Sequence, residues 1–203
     1  KAFVATLGYS RATFVRFSTR EDSEAWLTGL REAFVYFGGV PEEALFDNAG
    51  TIITERDAYG DGRHRWHPAL AALAEEYGFR PRVCRPYRAK TKGKVERFNG
   101  YLKGSFITPL AATLKSAGLI LDVPTANAHI GRWLDEIAHQ RVHGTTGVPP
   151  AMRLAEERGV LLPLPATATS IVPVPALRSG RALPHESLQH PLSVYDQLLE
   201  ASP

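Results

Sequence analysis

The chain has 203 residues, 44% of them hydrophobic and 22% charged, with a formal net charge of +3. That length supports one good-sized core plus an appendage. No apolar run reaches membrane-spanning length, no signal-peptide pattern opens the sequence, and the single cysteine, Cys84, rules out an internal disulfide framework and a paired-cysteine zinc site.

Such cysteine usage fits a reducing cytoplasm. The sequence opens at Lys1 inside a strand-like run, as expected of part of a longer protein. Residues 2–7 and 12–17 are rich in β-branched and aromatic residues, and Gly8-Tyr9-Ser10-Arg11 between them has turn composition. Together they predict a hairpin. Ser18 or Thr19 can cap the next helix, with Glu21, Asp22 and Glu24 in its first turn. That helix should run to about Phe37, bury Trp26, Leu27, Leu30, Phe34 and Phe37, and end at Gly38-Gly39 before Pro41.

Residues 44–46 form a short apolar run that stops at Asp47-Asn48. A strand carrying a carboxylate at its carboxyl end sets that acid at the rim of a sheet, where α/β proteins bind ligands. Equally, Asp-Asn commonly starts a turn. Residues 51–54 read as a short edge strand and 57–65 as a loop. His64 and His67 have no third ligand at suitable spacing and read as surface or packing histidines. Pro68 opens a helix with Leu70, Leu73, Ala74 and Tyr77 inward, Gly78 stops it, and residues 79–84 form the next strand.

Residues 80–103 concentrate the charge. Arg80, Arg82, Arg85, Arg88, Lys90, Lys92, Lys94, Arg97 and Lys103 stand against one acid, Glu96. The segment carries +8 and the remainder of the chain −5, the footprint of a polyanion-binding surface. A basic loop is expected up to about Val95 and a helix from there, with Val95, Phe98 and Leu102 facing the core. Glu96, Asn99, Gly100 and Lys103 share another stripe at i, i+3, i+4 and i+7. A solvated helix end with a chance run of charge is the plainer reading. The lone acid inside the cationic cluster, on the face away from the core, argues against it.

Residues 102–121 are weakly patterned, with Pro109 and Gly118 as breaks. Residues 125–141 make a clearer helix, with Ile130, Trp133, Leu134, Ile137 and Ala138 as its core face. A loop covers 143–150 and a short helix 150–158. His129, His139 and His143 form no relay with a serine or cysteine and read as satisfied or exposed. From Gly159, prolines at 163, 165, 173, 175, 184 and 191 predict an extended tail. It ends in a short helix whose apolar face is Leu192, Tyr195, Leu198 and Leu199. A helix that short is marginal alone and calls for a docking surface.

The order of elements predicts an α/β chain, a mixed sheet flanked by helices, with Asp47 and Glu96 brought to one rim. Paired carboxylates on a cationic surface call for a divalent cation, and carboxylate oxygens suit Mg²⁺ or Mn²⁺. Two such ions serve in-line phosphoryl transfer, with flanking Lys and Arg holding a nucleic-acid backbone.

Tyr9-Ser10-Arg11, residues 37–41, Leu45-Phe46-Asp47-Asn48 and above all residues 84–97 (Cys-Arg-Pro-Tyr-Arg-Ala-Lys-Thr-Lys-Gly-Lys-Val-Glu-Arg) are similar to the IstA-type insertion-sequence transposases. Residues 141–147 fit the pattern that follows the core in that family, and residues 186–195 resemble the end of some members. The resemblance covers about residues 1–158. It implies an RNase H-like core, similar to retroviral integrases, with a DDE acidic triad. Asp47 would be the second acid and Glu96 the third, both metal ligands. The first aspartate would lie on a strand upstream of Lys1, and Asp22, Asp57 and Asp61 are poor substitutes for it. The sequence alone would then lack a complete metal site and be inert by itself.

The same resemblance divides the chain into a catalytic core lacking its first strand (1–103), a helical extension (104–158) and a Pro-rich tail (159–203). It implies joining of insertion-element 3′ ends to target DNA by transesterification. Arg85, Arg88, Lys90, Lys92, Lys94 and Arg97 would contact phosphates, and Lys103 the element end. Asn99 and Gly100 would mark close approach of DNA, while Tyr87 is read as packing. Implied partners are element-end and target DNA, further copies of the chain on DNA, and a helper ATPase, in a bacterial cytoplasm at the nucleoid. Two other classes fit the same residues: a non-catalytic DNA-binding or assembly module, and a hydrolytic RNase H-like nuclease. Deleting residues 188–199 is expected to abolish helper recruitment in a pull-down while leaving target-independent DNA joining intact; unchanged recruitment would remove the docking role of the tail.

Overall fold

The computed structural model describes residues 1–46, 53–55, 57, 64–83, 89–144 and 146–166, and for 89–95 the backbone alone. Strand β1 (Ala2–Thr6) pairs antiparallel with β2 (Thr13–Phe17), Ala2 opposite Phe17, as the alternation of the two runs predicts. Helix α1 (Ser23–Phe37) lies against this hairpin. A Cβ at Gly29, in the middle of α1, would sit 2.7 Å from the Phe3 ring, so the bare backbone lets helix and strand close up. The cap is Asp22 rather than Ser18 or Thr19. Its carboxylate accepts from the Ala25 N–H at 2.9 Å, which is what an extended residue just before the first turn does. Gly38 ends the helix at φ 81°, a left-handed conformation that favours glycine.

The next unit is a parallel crossover. Strand β3 (Glu43–Phe46) is followed by the antiparallel pair β4 (Ile53–Glu55) and β5 (Arg65–Trp66), helix α2 (Pro68–Tyr77) and strand β6 (Arg80–Val83). β6 returns parallel to β3, with Phe46 opposite Val83. Leu30 and Phe34 of α1, Phe46, Leu70, Leu73, Tyr77 and Phe79 close one core between these layers. His67 caps α2, accepting from Ala69 N–H at 3.3 Å. The parallel and antiparallel pairs flanked by helices make the mixed α/β architecture that the sequence predicts, although the ladders among the described residues are three separate pairs.

Helix α3 (Ala89–Leu102) starts well before Val95, so the second half of the basic run is helical and not loop. Residues 89–94 carry no apolar periodicity, which is why the pattern conceals the helix. Pro109 is not a break. A π-type turn at Lys103–Ile107 joins α3 to α4 (Thr108–Ser116), and Thr108 N–H donates to the Lys103 carbonyl five residues back. The widened turn places Pro109 at the start of α4, where its missing N–H costs least. Helix α5 (Val123–Trp133) is capped by Asp122 and runs into a second π-type turn, Leu134–Ala138, so the single helix expected over 125–141 is shorter and two-part. Helix α6 (Pro150–Glu157) follows. Among the described residues no helix is long and apolar enough to cross a membrane.

Among the described residues β2 pairs with β1 alone, and its other edge is met by side chains from the helical extension. Asn127 of α5 accepts from Phe17 N–H at 2.8 Å and donates to Phe17 O at 2.9 Å, imitating a neighbouring strand. His139 Nε2 accepts from Thr13 N–H at 2.9 Å. These ties prevent the edge from pairing elsewhere. Glu157, 8% exposed, accepts from Ser10 N–H at 2.8 Å and Tyr9 N–H at 3.3 Å and so holds the hairpin turn. The first residues assigned to the tail also dock: Val40 and Leu162 exchange both backbone hydrogen bonds, at 2.8 and 2.9 Å.

His139 is satisfied on both nitrogens, as its sequence context suggests. Nε2 takes the Thr13 N–H, Nδ1–H faces the Tyr36 hydroxyl at 3.2 Å, and that hydroxyl donates to Asp135 at 2.6 Å. Burial first, and then the Asp135 carboxylate, keep the Tyr36 phenol protonated. Burial holds the His139 imidazole below its ordinary value of 6.5, against the pull of Asp135. As pH falls through that ordinary value, the unfolded chain takes up a proton that the folded chain refuses. The stabilisation is therefore present above it and is lost below it. Urea midpoints should fall between neutral and mildly acid pH, and His139→Gln, which keeps an acceptor near Nε2, should flatten that dependence. His139→Ala leaves the buried Thr13 N–H without its acceptor and should cost about 1–3 kcal/mol at neutral pH.

Candidate functional site

The register of β3 against β6 sets which residues end the two strands side by side. Phe46 and Val83 lie opposite each other at the carboxyl ends of parallel strands. Asp47 follows Phe46 in the chain, and Cys84 with the basic run follows Val83. The amino ends of the same strands are already neutralised. Arg82 donates to Glu43 at 3.0 Å, and Arg80 lies 3.7 Å from Glu42 and 3.6 Å from Glu43. The Arg82 hydrogen bond holds the Glu43 carboxyl below its ordinary range. Two of the nine cations counted in the basic stretch are thus taken up by ion pairs with their own sheet.

Past the rim the chain enters α3. Leu102 is buried at 3% exposure, and rings connect the helix end to the rest: Tyr101 to Trp133 at 5.3 Å, Trp133 to Phe106 at 5.5 Å, and Phe106 to Phe17 at 6.0 Å. Phe98 packs partly into this core. Glu96, two residues earlier, falls on the opposite side of the helix and is exposed. Arg97, Asn99, Gly100 and Lys103 are exposed as well. Among the described residues, and apart from the helix's own backbone, nothing comes within 4 Å of where a Cβ at Gly100 would be. The helix therefore presents an open, bare-backbone position one turn beyond its carboxylate.

The other singled-out residues divide as follows. Lys90, Lys92 and Lys94 lie on the backbone of α3, and their side chains are outside the described residues. Asp47, Asp61, Arg85, Tyr87, Arg88, Leu192, Tyr195, Leu198 and Leu199 are outside the described residues altogether. Among the described residues no group of three or more His, Cys, Asp or Glu converges as a metal site. Glu96 supplies one hard oxygen donor, and Asp47 would supply a second of the same chemistry, the kind that suits Mg²⁺ or Mn²⁺ rather than zinc.

Sequence reasoning gave no nucleic-acid role to two side chains near α3, Arg141 and His143. Arg141 lies over the Tyr101 ring at 4.9 Å. His143, half-buried, is held below its ordinary range by burial first and then by Arg11, Arg141 and Arg97. One signal was available: residues 137–155 contain no Asp or Glu, but do contain Arg141, His143 and Arg153.

Residues 1–89 match the family described as integrase core domain. The chain is 42% identical over 168 residues to the transposase assigned to insertion sequence element IS5376 of Geobacillus stearothermophilus, covering 83% of this chain and 39% of that protein. It is 34% identical over 165 residues to the transposase for insertion sequence element IS21 of Pseudomonas aeruginosa, covering 81% of this chain and 40% of that protein. The chain thus spans about two-fifths of the length of these relatives. In three dimensions it resembles a chain of the simian T-cell lymphotropic virus intasome, solved in complex with the PP2A regulatory subunit B56 gamma. The TM-score is 0.56 at 19% identity, over 75% of this chain and 47% of that one, and that likeness gives the RNase H-like fold.

Since no neighbouring group fills the space at Gly100, Gly100→Ala should stabilise the protein by about 0.5–1 kcal/mol through helix propensity alone. Thermal or urea unfolding reads this. A loss of stability would mean that the position is held by packing and not left open for an approaching molecule.

Proposed function

We propose, from the match of residues 1–89 to the integrase core domain and the similarity of the chain to IS21-type transposases, that it is the catalytic region of a DNA transposase. The reaction is joining of the 3′ ends of an insertion element to target DNA. The 3′-hydroxyl oxygen of the element end attacks a target phosphorus, the bond from that phosphorus to the target 3′ oxygen breaks, and the departing oxygen takes up a proton. One phosphodiester replaces another, without a covalent enzyme intermediate.

The observation that carries this reading is the β3–β6 register. It sends the chain into Asp47 from one strand and into the basic run and Glu96 from its parallel neighbour. Asp47 and Glu96 would hold Mg²⁺ or Mn²⁺, with a third carboxylate from an aspartate preceding Lys1. Bound there, such ions would polarise the scissile phosphate and favour the ionised hydroxyl. Arg85, Arg88, Lys90, Lys92, Lys94 and Arg97 would carry the DNA phosphates, and Lys103 and Asn99 the element end. The bare backbone at Gly100 would let the duplex lie close to α3. Further copies of the chain and a helper ATPase complete the assembly in this reading.

The test is strand transfer from pre-cut element ends, with the upstream acid in place, in Mg²⁺ or Mn²⁺. Glu96→Gln should remove joined products while end binding persists. If wild type and variant join equally, Glu96 is not a metal ligand. If neither joins but both bind DNA with steep salt dependence, the chain is a binding module. If cut but unjoined DNA accumulates in wild type, it is a hydrolytic nuclease.

A further inference from the structure

We propose that Arg11, Arg97, Arg141 and His143 form a second phosphate-binding surface that takes the backbone of duplex DNA beside the Glu96 face of α3. The proposal rests on the reading of the chain as a DNA-joining enzyme and extends its interface to residues outside the basic run.

Three separate parts of the chain supply these groups. Arg97 and Tyr101 are one turn apart on α3 and share a face, and the Arg141 guanidinium covers the Tyr101 ring at 4.9 Å. Arg141 and Arg97 therefore border the same aromatic. Arg11 reaches the place from the hairpin turn. That turn is fixed on both sides of it: Ser10 N–H donates to Glu157 at 2.8 Å and Thr13 N–H donates to His139 at 2.9 Å. His143 lies in the loop between these anchors, near enough to Arg11, Arg141 and Arg97 that all three disfavour its protonated form. Arg97 and Arg141 are exposed, while Arg11 and His143 are half-buried.

Several other arginines pair with carboxylates of their own. Arg16 pairs with Glu32, Arg20 with Asp22, Arg65 with Glu55, and Arg132 with Glu136. Among the described residues, no carboxylate lies within ion-pair distance of Arg11 or Arg141. Residues 137–155 contain no Asp or Glu, so the segment that brings Arg141 to Tyr101 is cationic or neutral. Like charges brought together repel, and a polyanion relieves that repulsion. Guanidinium groups suit phosphate through paired donors, and stacking on Tyr101 holds that of Arg141 in one orientation. Arg11 moreover holds a φ of 66°, left-handed backbone that a glycine would occupy without strain.

The test is equilibrium binding of a labelled duplex carrying the element end, measured over a range of salt. Arg11→Gly removes a guanidinium and relieves the backbone, so stability should hold or rise. Arg141→Ala removes the second, and Arg132→Ala, which only breaks a surface ion pair, is the control. Arg11→Gly and Arg141→Ala should each weaken binding about three- to tenfold and lower the slope of log affinity against log salt by about 0.9, with Arg132→Ala unchanged. Affinities and slopes equal to wild type for both variants would overturn the surface. If that happens while Glu96→Gln still abolishes joining, the transposase reading stands without it. A wild-type protein that binds no duplex overturns both. Arginine-dependent binding of poly-glutamate in place of duplex would make the surface a dock for acidic protein, also against the proposal.

Discussion

Phe46 and Val83 face each other across a parallel ladder, and that register fixes where the chain leaves the two strands, toward Asp47 from one and toward the basic run from the other. Side chains alternate across a strand, so a slip of one residue would turn Phe46 out of the core it shares with Trp26, Trp66 and Phe79. Burial of Phe46 at 4% exposure and of Phe79 at 3% therefore holds the rim in place from below. Apolar packing thus fixes where the two strands end, Phe46 beside Val83. The electrostatic cost of gathering cations at this rim is limited by the amino-end ion pairs, which neutralise Arg80 and Arg82 within the sheet.

The helical extension is attached by a different kind of contact. Three polar side chains reach the hairpin and satisfy its backbone: Asn127 at Phe17, His139 at Thr13, and Glu157 at Tyr9 and Ser10. Apolar packing of Phe17 with Phe106 and Trp133 brings the layers together, and the polar ties fix their offset, since each has one geometry. The attachment has a functional consequence. It carries Arg141 and His143 to the flank of α3 and sets Arg11 against them, so the extension contributes to the same surface as the core.

Periodic apolar residues made the hairpin, α1, α2 and the core faces of α3 and α5 legible. Leu70, Leu73 and Tyr77 are inward as their spacing predicts, and Gly38 and Gly78 end their helices in left-handed backbone. The acidic and basic groups were legible for another reason: Glu96 is the lone acid in a cationic run, and the similarity of residues 84–97 to a transposase family concerns contiguous sequence. What was not legible depends on tertiary contact or on uniform polarity. Ala89 starts α3 in a stretch with no apolar residue to mark a period. Asp22 reads as a first-turn acid until its hydrogen bond to Ala25 makes it the cap. Pro109 reads as a break until the π-type turn before it is known. Glu157 and Ser10 meet across 147 residues, and no local pattern announces a pairing at that separation.

In the proposed function, Asp47 and Glu96 share bound metal. Iron-directed cleavage tests it most directly. Fe²⁺ replaces Mg²⁺ on the protein with the upstream acid in place and an element end bound, and hydroxyl radicals made at the iron cut the nearest backbone. Cuts near residues 47 and 96, suppressed by excess Mg²⁺, are expected. Cleavage confined to other segments, or at only one of the two acids, would contradict a shared site.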